Sequence, residues 1–134
     1  MPELEPKRRR PGRELGQYGE RLALKALKRK GLKLLARNYR CPKGEIDLIM
    51  LDRSTRKLDH AETIVFVEVK TRSSDKYTSP QTAVNAKKRK RIRKSAHYYL
   101  SKRHSQNYNI RYDVVAIVIA NDQTTRIEHL VAVF

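Results

Sequence analysis

The stretch "IRYDVVAIVIA", residues 110–120, constrains the fold more than any other part of this sequence. It is nearly all apolar and rich in β-branched side chains, which is typical of a strand in the centre of a sheet. A central strand needs other layers of secondary structure to cover its side chains. The stretch therefore predicts a sheet with helices packed on it.

Two helical patterns in the chain can supply that cover. Apolar residues recur every three or four positions from about Arg13 to Lys30, and Gly31 follows as a helix stop. A second helical pattern runs from Pro80 to about His104, with a break allowed near Asn85. Between the two patterns, we interpret residues 31–44 as a short extended segment followed by a turn.

Strand patterns fill much of the remaining chain. "GEIDLIML" (44–51) and "IVFVEVKTR" (64–72) are separated by a polar stretch of about a dozen residues, which predicts a hairpin with a long tip. "RIEHLVAVF" (126–134) predicts a last strand. The order helix, strand, strand, helix, strand, strand predicts an α/β fold in which a mixed sheet is flanked by helices.

Charge narrows the class of partner. Residues 1–12 are basic and Pro-rich and predict a flexible arm, so residues 13–134 are expected to form a single domain. The chain has 31 Lys and Arg against 14 Asp and Glu, a formal net charge of +17, which predicts a nucleic-acid partner or, as the alternative, an anionic membrane surface.

No apolar run approaches the roughly 18 residues of a membrane span. A single cysteine, Cys41, fits a reducing cytoplasm.

Acidic side chains interrupt two of the predicted strands. Alternation along "VFVEVKTR" places Glu68 and Lys70 on the same face, and Asp47 lies between apolar neighbours in "GEIDLIML". One interpretation is a solvated face with a fortuitous ion pair. The other is that the two strands pair and bring Asp47 and Glu68 together, with Lys70 beside them.

The second interpretation predicts a metal site. Converging carboxylates repel each other, and a hard divalent cation such as Mg²⁺ or Mn²⁺ removes that conflict. Such a cation activates water and stabilises charge on a phosphoryl group, while Lys70 can orient the water. Glu20, at the border of the apolar stripe of the first helix, is a candidate third metal ligand. Asp47, Glu68, Lys70 and Glu20 are therefore candidate catalytic residues for cutting a phosphodiester.

The second helical pattern has a strongly basic face. This face predicts contacts with the phosphate groups of a nucleic acid, and a solvated helix face is the alternative. Asp113, in contrast, is expected to have a structural role beside an arginine. The candidate nucleic-acid-binding residues are Arg72, Lys87, Lys88, Lys90, Arg91 and Lys94.

Five blocks together resemble the YraN-type family of small bacterial endonuclease-like proteins: "GQYGERLALKALKRKG", "RNYRCPKGEIDLIM", "VFVEVKTR", "AVNAKKRKRIRKSAHYYL" and "RYDVVAIV". That family is similar to the PD-(D/E)xK nuclease superfamily, especially to Holliday-junction resolvases. The resemblance implies a restriction-endonuclease-like α/β core, metal ligation by Asp47 and Glu68, a catalytic role for Lys70 and an acidic helper at Glu20. Ile46 stands where the superfamily motif has proline.

Three functions are compatible with these features. The first is a Mg²⁺- or Mn²⁺-dependent endonuclease that acts on structured or branched DNA. The second is a nucleic-acid-binding protein that keeps the nuclease fold without cleaving. The third is an assembly factor that docks on a larger complex through its basic surface. Resolvases of this architecture act as dimers, because a junction offers two symmetric cuts, so a homodimer is an open option for this chain.

Overall fold

A mixed five-stranded sheet lies at the centre of the computed structural model, which describes residues 12–73, 84–103 and 107–134. The strands are β1 (Lys33–Cys41), β2 (Gly44–Asp52), β3 (Thr63–Ser73), β4 (Asn109–Ile119) and β5 (Thr125–Leu130). The helices are α1 (Gly12–Arg29), α2 (Arg56–Asp59) and α3 (Ala86–Ser101). This architecture confirms the predicted α/β fold with a mixed sheet.

The strands lie in the sheet in the same order as in the chain. Strands β1, β2 and β3 form an antiparallel meander, and β5 is antiparallel to β4. Strands β3 and β4 are parallel, and the segment between them contains α3. A parallel pair needs such a crossover, because the chain must return to the same end of the sheet before the next strand begins.

Two hydrophobic clusters cover the two faces of the sheet. Leu24 and Leu27 of α1 belong to the cluster that contains Val65 and Val67 of β3. Phe66, between those valines, belongs to the other cluster, which includes residues of α3. Alternate side chains of β3 therefore pack on opposite sides. Strand β4 divides in the same way, which confirms residues 110–120 as an interior strand.

The first strand is longer than predicted. Nine residues of the segment interpreted as a short extended stretch form β1, which lies at one edge of the sheet. Polar side chains at Arg37, Asn38 and Arg40 obscure its alternation in the sequence, and its pairing register with β2 shifts between Leu34 and Ala36. An edge strand has only one neighbour, so its sequence is less constrained by burial.

The break predicted near Asn85 is the start of α3. The Asn85 side chain caps the helix, because its Oδ1 accepts a hydrogen bond of 2.9 Å from the Lys88 backbone N–H. The predicted arm, apart from Gly12, and the first residues of the second helical pattern lie outside the described residues. None of the helices within the described ranges combines the length and the apolar character that a membrane crossing requires.

Asp113 has the structural role that the sequence predicted. Its carboxylate is fully buried and accepts two hydrogen bonds of 3.0 Å from the Arg111 guanidinium and one of 2.9 Å from the Ala132 N–H. Nε2 of His129 lies 2.8 Å from its Oδ2, and Arg111 also binds Asp52 at 3.0 Å. Burial alone would raise the pKa of Asp113, but the bonds from His129 and Arg111 outweigh burial and hold it below its usual range.

Replacing Asp113 should destabilise the fold. We expect Asp113→Asn to lower the free energy of unfolding by about 3 kcal/mol, because the partly buried Arg111 guanidinium then loses its main carboxylate partner. Denaturant unfolding measures the change. Asp122→Asn, in the exposed turn before β5, is the matched control and should leave the free energy of unfolding nearly unchanged, because the asparagine oxygen can still accept the hydrogen bonds from Thr124. Equal stability of the two variants would contradict the structural role of Asp113.

Helix α1 approaches β3 closely at Gly19. A Cβ atom at this position would lie 1.8 Å from Oγ1 and 2.9 Å from Cβ of Thr71, so no larger residue fits without a shift of the helix. The Thr71 hydroxyl is buried and has no hydrogen-bond partner within the described ranges. Gly19 immediately precedes Glu20, so the close approach of α1 to β3 fixes the position of Glu20 relative to the sheet.

Gly19→Ala tests this contact. We expect it to lower the free energy of unfolding by about 1–3 kcal/mol through overpacking, although alanine is the better helix former. Gly16→Ala, one turn earlier in α1, is the control. Nothing lies within 4 Å of a Cβ at Gly16, so this variant should be neutral or up to about 1 kcal/mol more stable. Thermal and denaturant unfolding of the two variants would decide, and equal effects would disprove the close packing.

Candidate active site

An open cleft of about 510 Å³ lies where α1 crosses the ends of β2 and β3, close to the start of α3. Most of the candidate catalytic residues predicted from the sequence are strand residues, and all of them line this cleft. Its charged lining residues are Glu20, Asp47, Glu68, Lys70, Arg72 and Lys88. The cleft therefore combines three carboxylates with three basic side chains from four separate elements.

Strand register brings the two strand carboxylates together. The pairing of β2 with β3 ends at Leu48 opposite Val67, so Asp47 and Glu68 are the next facing positions. Asp47 Oδ2 accepts a hydrogen bond of 2.8 Å from the Val69 N–H. The Val69 N–H, which lies beyond the last ladder pair, thus bonds a side chain instead of the backbone of β2, and the carboxyl groups of Asp47 and Glu68 lie against each other at facing positions.

The contact changes the acidity of Asp47. Burial, followed by the negative charge of Glu68, raises the pKa of Asp47 to about 8. Glu68 itself is 5% exposed. Burial also raises the pKa of Glu20, although the positive charge of Arg37 and a hydrogen bond from Asn38 act in the opposite direction. Acidic groups with raised pKa values in a cleft are typical of functional sites.

Two ammonium groups lie beside Glu68. Lys70 follows two residues later on β3, and Lys88 reaches in from α3 to form an ion pair with Glu68 Oε2. Burial, followed by the charge of Lys88, lowers the pKa of Lys70. Burial would lower the pKa of Lys88 too, but its hydrogen bond to Glu68 and the charge of that carboxylate raise it.

Asn38 is a site residue that the sequence analysis missed. It lies on β1 between the positions that pair with Leu48 and Ile46, and hence opposite Asp47. Its φ of 50° is in the left-handed region, which asparagine tolerates better than most residues, and its side chain bonds Glu20. The only signal in the sequence was a polar residue in the middle of a segment that forms a strand.

The predicted nucleic-acid-binding residues divide into two groups. Arg72 and Lys88 line the cleft, and the Arg72 guanidinium donates a 3.1 Å hydrogen bond to the carbonyl of Thr71. The remaining members are exposed on α3, where they form a basic helix face. These exposed residues are Lys87, Lys90, Arg91 and Lys94.

The carboxylate pair suits a divalent cation chemically. Mg²⁺ commonly binds one or two protein carboxylates and keeps several waters, and Asp47 and Glu68 supply two oxygen donors in contact. Across residues 12–73, 84–103 and 107–134, no three His, Cys, Asp or Glu side chains group closely enough to hold a metal ion. Glu20 therefore lines the cleft without completing a three-residue ligand group, and its predicted role as a ligand stays a prediction.

Comparison with known proteins places the chain in a family. The sequence model described as "Uncharacterised protein family UPF0102" matches residues 19–117, about three quarters of the chain. The chain belongs to the UPF0102 family. The matched range includes all six charged residues of the cleft. The family assignment confirms the YraN-type part of the resemblance, and the similarity to the PD-(D/E)xK nuclease superfamily stays a prediction.

Relatives of this UPF0102 protein come from diverse bacteria. A UPF0102 protein of Syntrophus aciditrophicus is 46% identical over 102 residues, which cover 76% of this chain and 74% of the relative. One from Beutenbergia cavernae is 41% identical over 116 residues, covering 87% and 92% of the two chains. One from Moorella thermoacetica is 44% identical over 105 residues, covering 78% and 81%.

The raised pKa of Asp47 predicts a pH-dependent stability. The folded-state pKa of about 8 exceeds the ordinary value of 3.8, so between these values the folded protein binds a proton that the unfolded chain has lost. In the absence of divalent cations, stability should therefore fall as pH rises from about 4 to about 8. Asp47→Asn, which cannot ionise, should remove that part of the fall. Denaturant unfolding at a series of pH values measures it, and parallel curves for both proteins would contradict the prediction.

Proposed function

We propose that this UPF0102 protein is a metal-dependent endonuclease-like protein that hydrolyses phosphodiesters in structured or branched DNA. The observation that supports the proposal is the contact between the carboxyl groups of Asp47 and Glu68 in a cleft shared with Lys70 and Arg72. In a protein of net charge +17, acidic groups concentrated in one cleft and surrounded by cations are a chemically distinct feature. They suit a site for a cation and a phosphate together.

Each cleft residue has a role in this proposal. Asp47 and Glu68 would hold Mg²⁺ or Mn²⁺ through their carboxylate oxygens, and Glu20 is the acidic helper. When bound, the ion supplies Lewis-acid stabilisation and lowers the pKa of a bound water. Lys70 donates hydrogen bonds to the attacking water or to a phosphoryl oxygen as negative charge develops there. Arg72 offers its guanidinium to a neighbouring phosphate.

The exposed basic face of α3 would position the DNA. Lys87, Lys90, Arg91 and Lys94 carry positive charge outward from the helix whose first turn reaches the cleft. Contacts of this kind bind phosphates without reading base sequence, which suits a protein that recognises the shape of its substrate. The resemblance to Holliday-junction resolvases supports branched DNA, and with it a homodimer that makes two symmetric cuts. A cytoplasmic location completes the proposal.

A nucleic-acid-binding protein without cleavage is the second candidate. The net charge of +17 and the exposed face of α3 support it independently of the cleft. This candidate predicts steeply salt-dependent binding to duplex DNA. If about six phosphates are neutralised, the logarithm of the affinity should fall against the logarithm of the salt concentration with a slope of roughly −5.

Cleavage assays distinguish the two candidates. A four-way junction, a duplex and a single strand are each incubated with the protein in Mg²⁺ and in Mn²⁺. We expect cleavage of at least one substrate, and a loss of roughly a hundredfold or more in Asp47→Ala, Glu68→Ala and Lys70→Ala. Chelation of the metal should abolish cleavage, because the carboxylate pair then has no ion to hold.

Glu45→Ala is the matched control for these variants. Glu45 is on β2, two residues before Asp47, and its side chain is 62% exposed and outside the cleft lining. Its replacement removes a carboxylate, as Asp47→Ala and Glu68→Ala do, and should leave cleavage within about twofold of wild type, because surface substitutions change stability little. If wild type cuts no substrate, or if the cleft variants cut as well as Glu45→Ala does, the catalytic proposal is wrong. Salt-dependent binding would then favour the second candidate.

A further inference from the structure

Lys88 differs from the other lysines of α3. Lys87, Lys90 and Lys94 are exposed, whereas Lys88 is half-buried, lines the cleft and pairs with Glu68. Its place in the sequence does not distinguish it, because it lies within an unbroken basic run. The tertiary structure therefore separates one lysine from a surface that otherwise faces solvent.

The backbone at the start of α3 holds Lys88 in this position. Its own N–H donates to Asn85 Oδ1 at 2.9 Å, and the next side chain, Arg89, donates from Nε to the carbonyl of Val84 at 3.0 Å. Val84 is buried in the cluster beneath the helix. Lys88 thus projects from an anchored first turn, while its own long side chain keeps freedom to move.

Lys88 and the proposed divalent cation would both bind the carboxylate of Glu68. The Lys88 ammonium binds Glu68 Oε2, and the same carboxylate is one of the two that would hold the cation beside Asp47. An ammonium and a divalent cation repel each other and draw on the same oxygen atoms. Binding of the cation therefore opposes the pairing of Lys88 with Glu68.

We propose that Lys88 is a displaceable counter-ion of the cleft: it neutralises Glu68 until a divalent cation binds there, and it then turns to a phosphate group of the nucleic acid. The proposal rests on the proposed function, because it takes the cation site at Asp47 and Glu68 as given. In this role Lys88 couples the binding of the cation to the binding of the nucleic acid. The cation removes the carboxylate partner of Lys88, and the freed ammonium becomes a phosphate ligand. By linkage, each ligand then favours binding of the other.

The first test measures cation affinity without nucleic acid. Mn²⁺ is titrated into the full-length protein, and the free ion is followed by electron paramagnetic resonance. Lys88→Gln should bind Mn²⁺ about three- to tenfold more tightly than wild type, because the competing ammonium is gone. Lys87→Gln loses the same charge from the exposed neighbouring position and controls for net charge. Lys88→Arg, which keeps a cation able to pair with Glu68, should stay within about twofold of wild type.

The second test measures DNA affinity with and without a divalent cation. A short duplex is titrated in chelator and in Ca²⁺, a hard cation that takes oxygen ligands. In chelator, Lys88→Gln should bind within about twofold of wild type, because Glu68 still holds Lys88 in the wild type. In Ca²⁺ it should bind about three- to tenfold more weakly than wild type, because only then does wild-type Lys88 reach a phosphate. Lys87 is exposed, so any defect of Lys87→Gln should be the same in chelator and in Ca²⁺.

Several outcomes would overturn the proposal. It fails if Lys88→Gln and Lys87→Gln bind Mn²⁺ equally, if Lys88→Arg gains affinity as Lys88→Gln does, or if Ca²⁺ does not enlarge the defect in DNA binding. Asp47→Ala separates this result from a failure of the proposed function. If Asp47→Ala retains wild-type Mn²⁺ binding, or wild type binds none, both the metal site and the role of Lys88 are wrong. If Asp47→Ala loses Mn²⁺ binding while the Lys88 variants behave as the controls do, only the role of Lys88 is wrong.

Discussion

The contact between the carboxyl groups of Asp47 and Glu68 is the interaction on which the rest of the cleft depends. It exists because the β2–β3 ladder ends one pair earlier, at Leu48 and Val67, and the Val69 N–H turns to the Asp47 side chain. Two acidic groups in such contact need a shared proton, a cation or basic neighbours. The raised pKa of Asp47 and the pairing of Glu68 with Lys88 are both consequences of that need.

Two acidic side chains of the sheet, Asp113 and Asp47, have opposite electrostatic surroundings. Asp113 is surrounded by donors from Arg111, His129 and the Ala132 backbone, so its charge is stabilised and its pKa is lowered. Asp47 faces another carboxyl group instead, and its pKa is raised. The hydrogen-bonded network around Asp113 stabilises the fold. The repulsion between Asp47 and Glu68, in contrast, indicates a place where a bound cation can stabilise both carboxylates.

Much of the fold could be predicted from the sequence, and less of the site. Periodicity located α1, β2, β3 and β4, and alternation with pairing correctly brought Asp47 and Glu68 together. The length of β1 was underestimated because polar side chains interrupt an edge strand, and Asn38 was overlooked with it. Lys88 was predicted to bind phosphate with the other basic residues of its helix face, and its pairing with Glu68 was missed, since neighbouring lysines on one helix look alike in a sequence.

The sequence by itself determined most of the secondary structure, the α/β class, the excess of positive charge and the residue types available for chemistry. These properties follow from local periodicity, β-branched content and composition, which act within a dozen or so residues. Only the tertiary structure decided which charges meet. The position of Lys88 on Glu68 and of Asn38 on Glu20 depends on where α3 and α1 cross the sheet. That placement comes from packing of the two hydrophobic clusters and from the fit of Gly19 against Thr71, which no local pattern encodes.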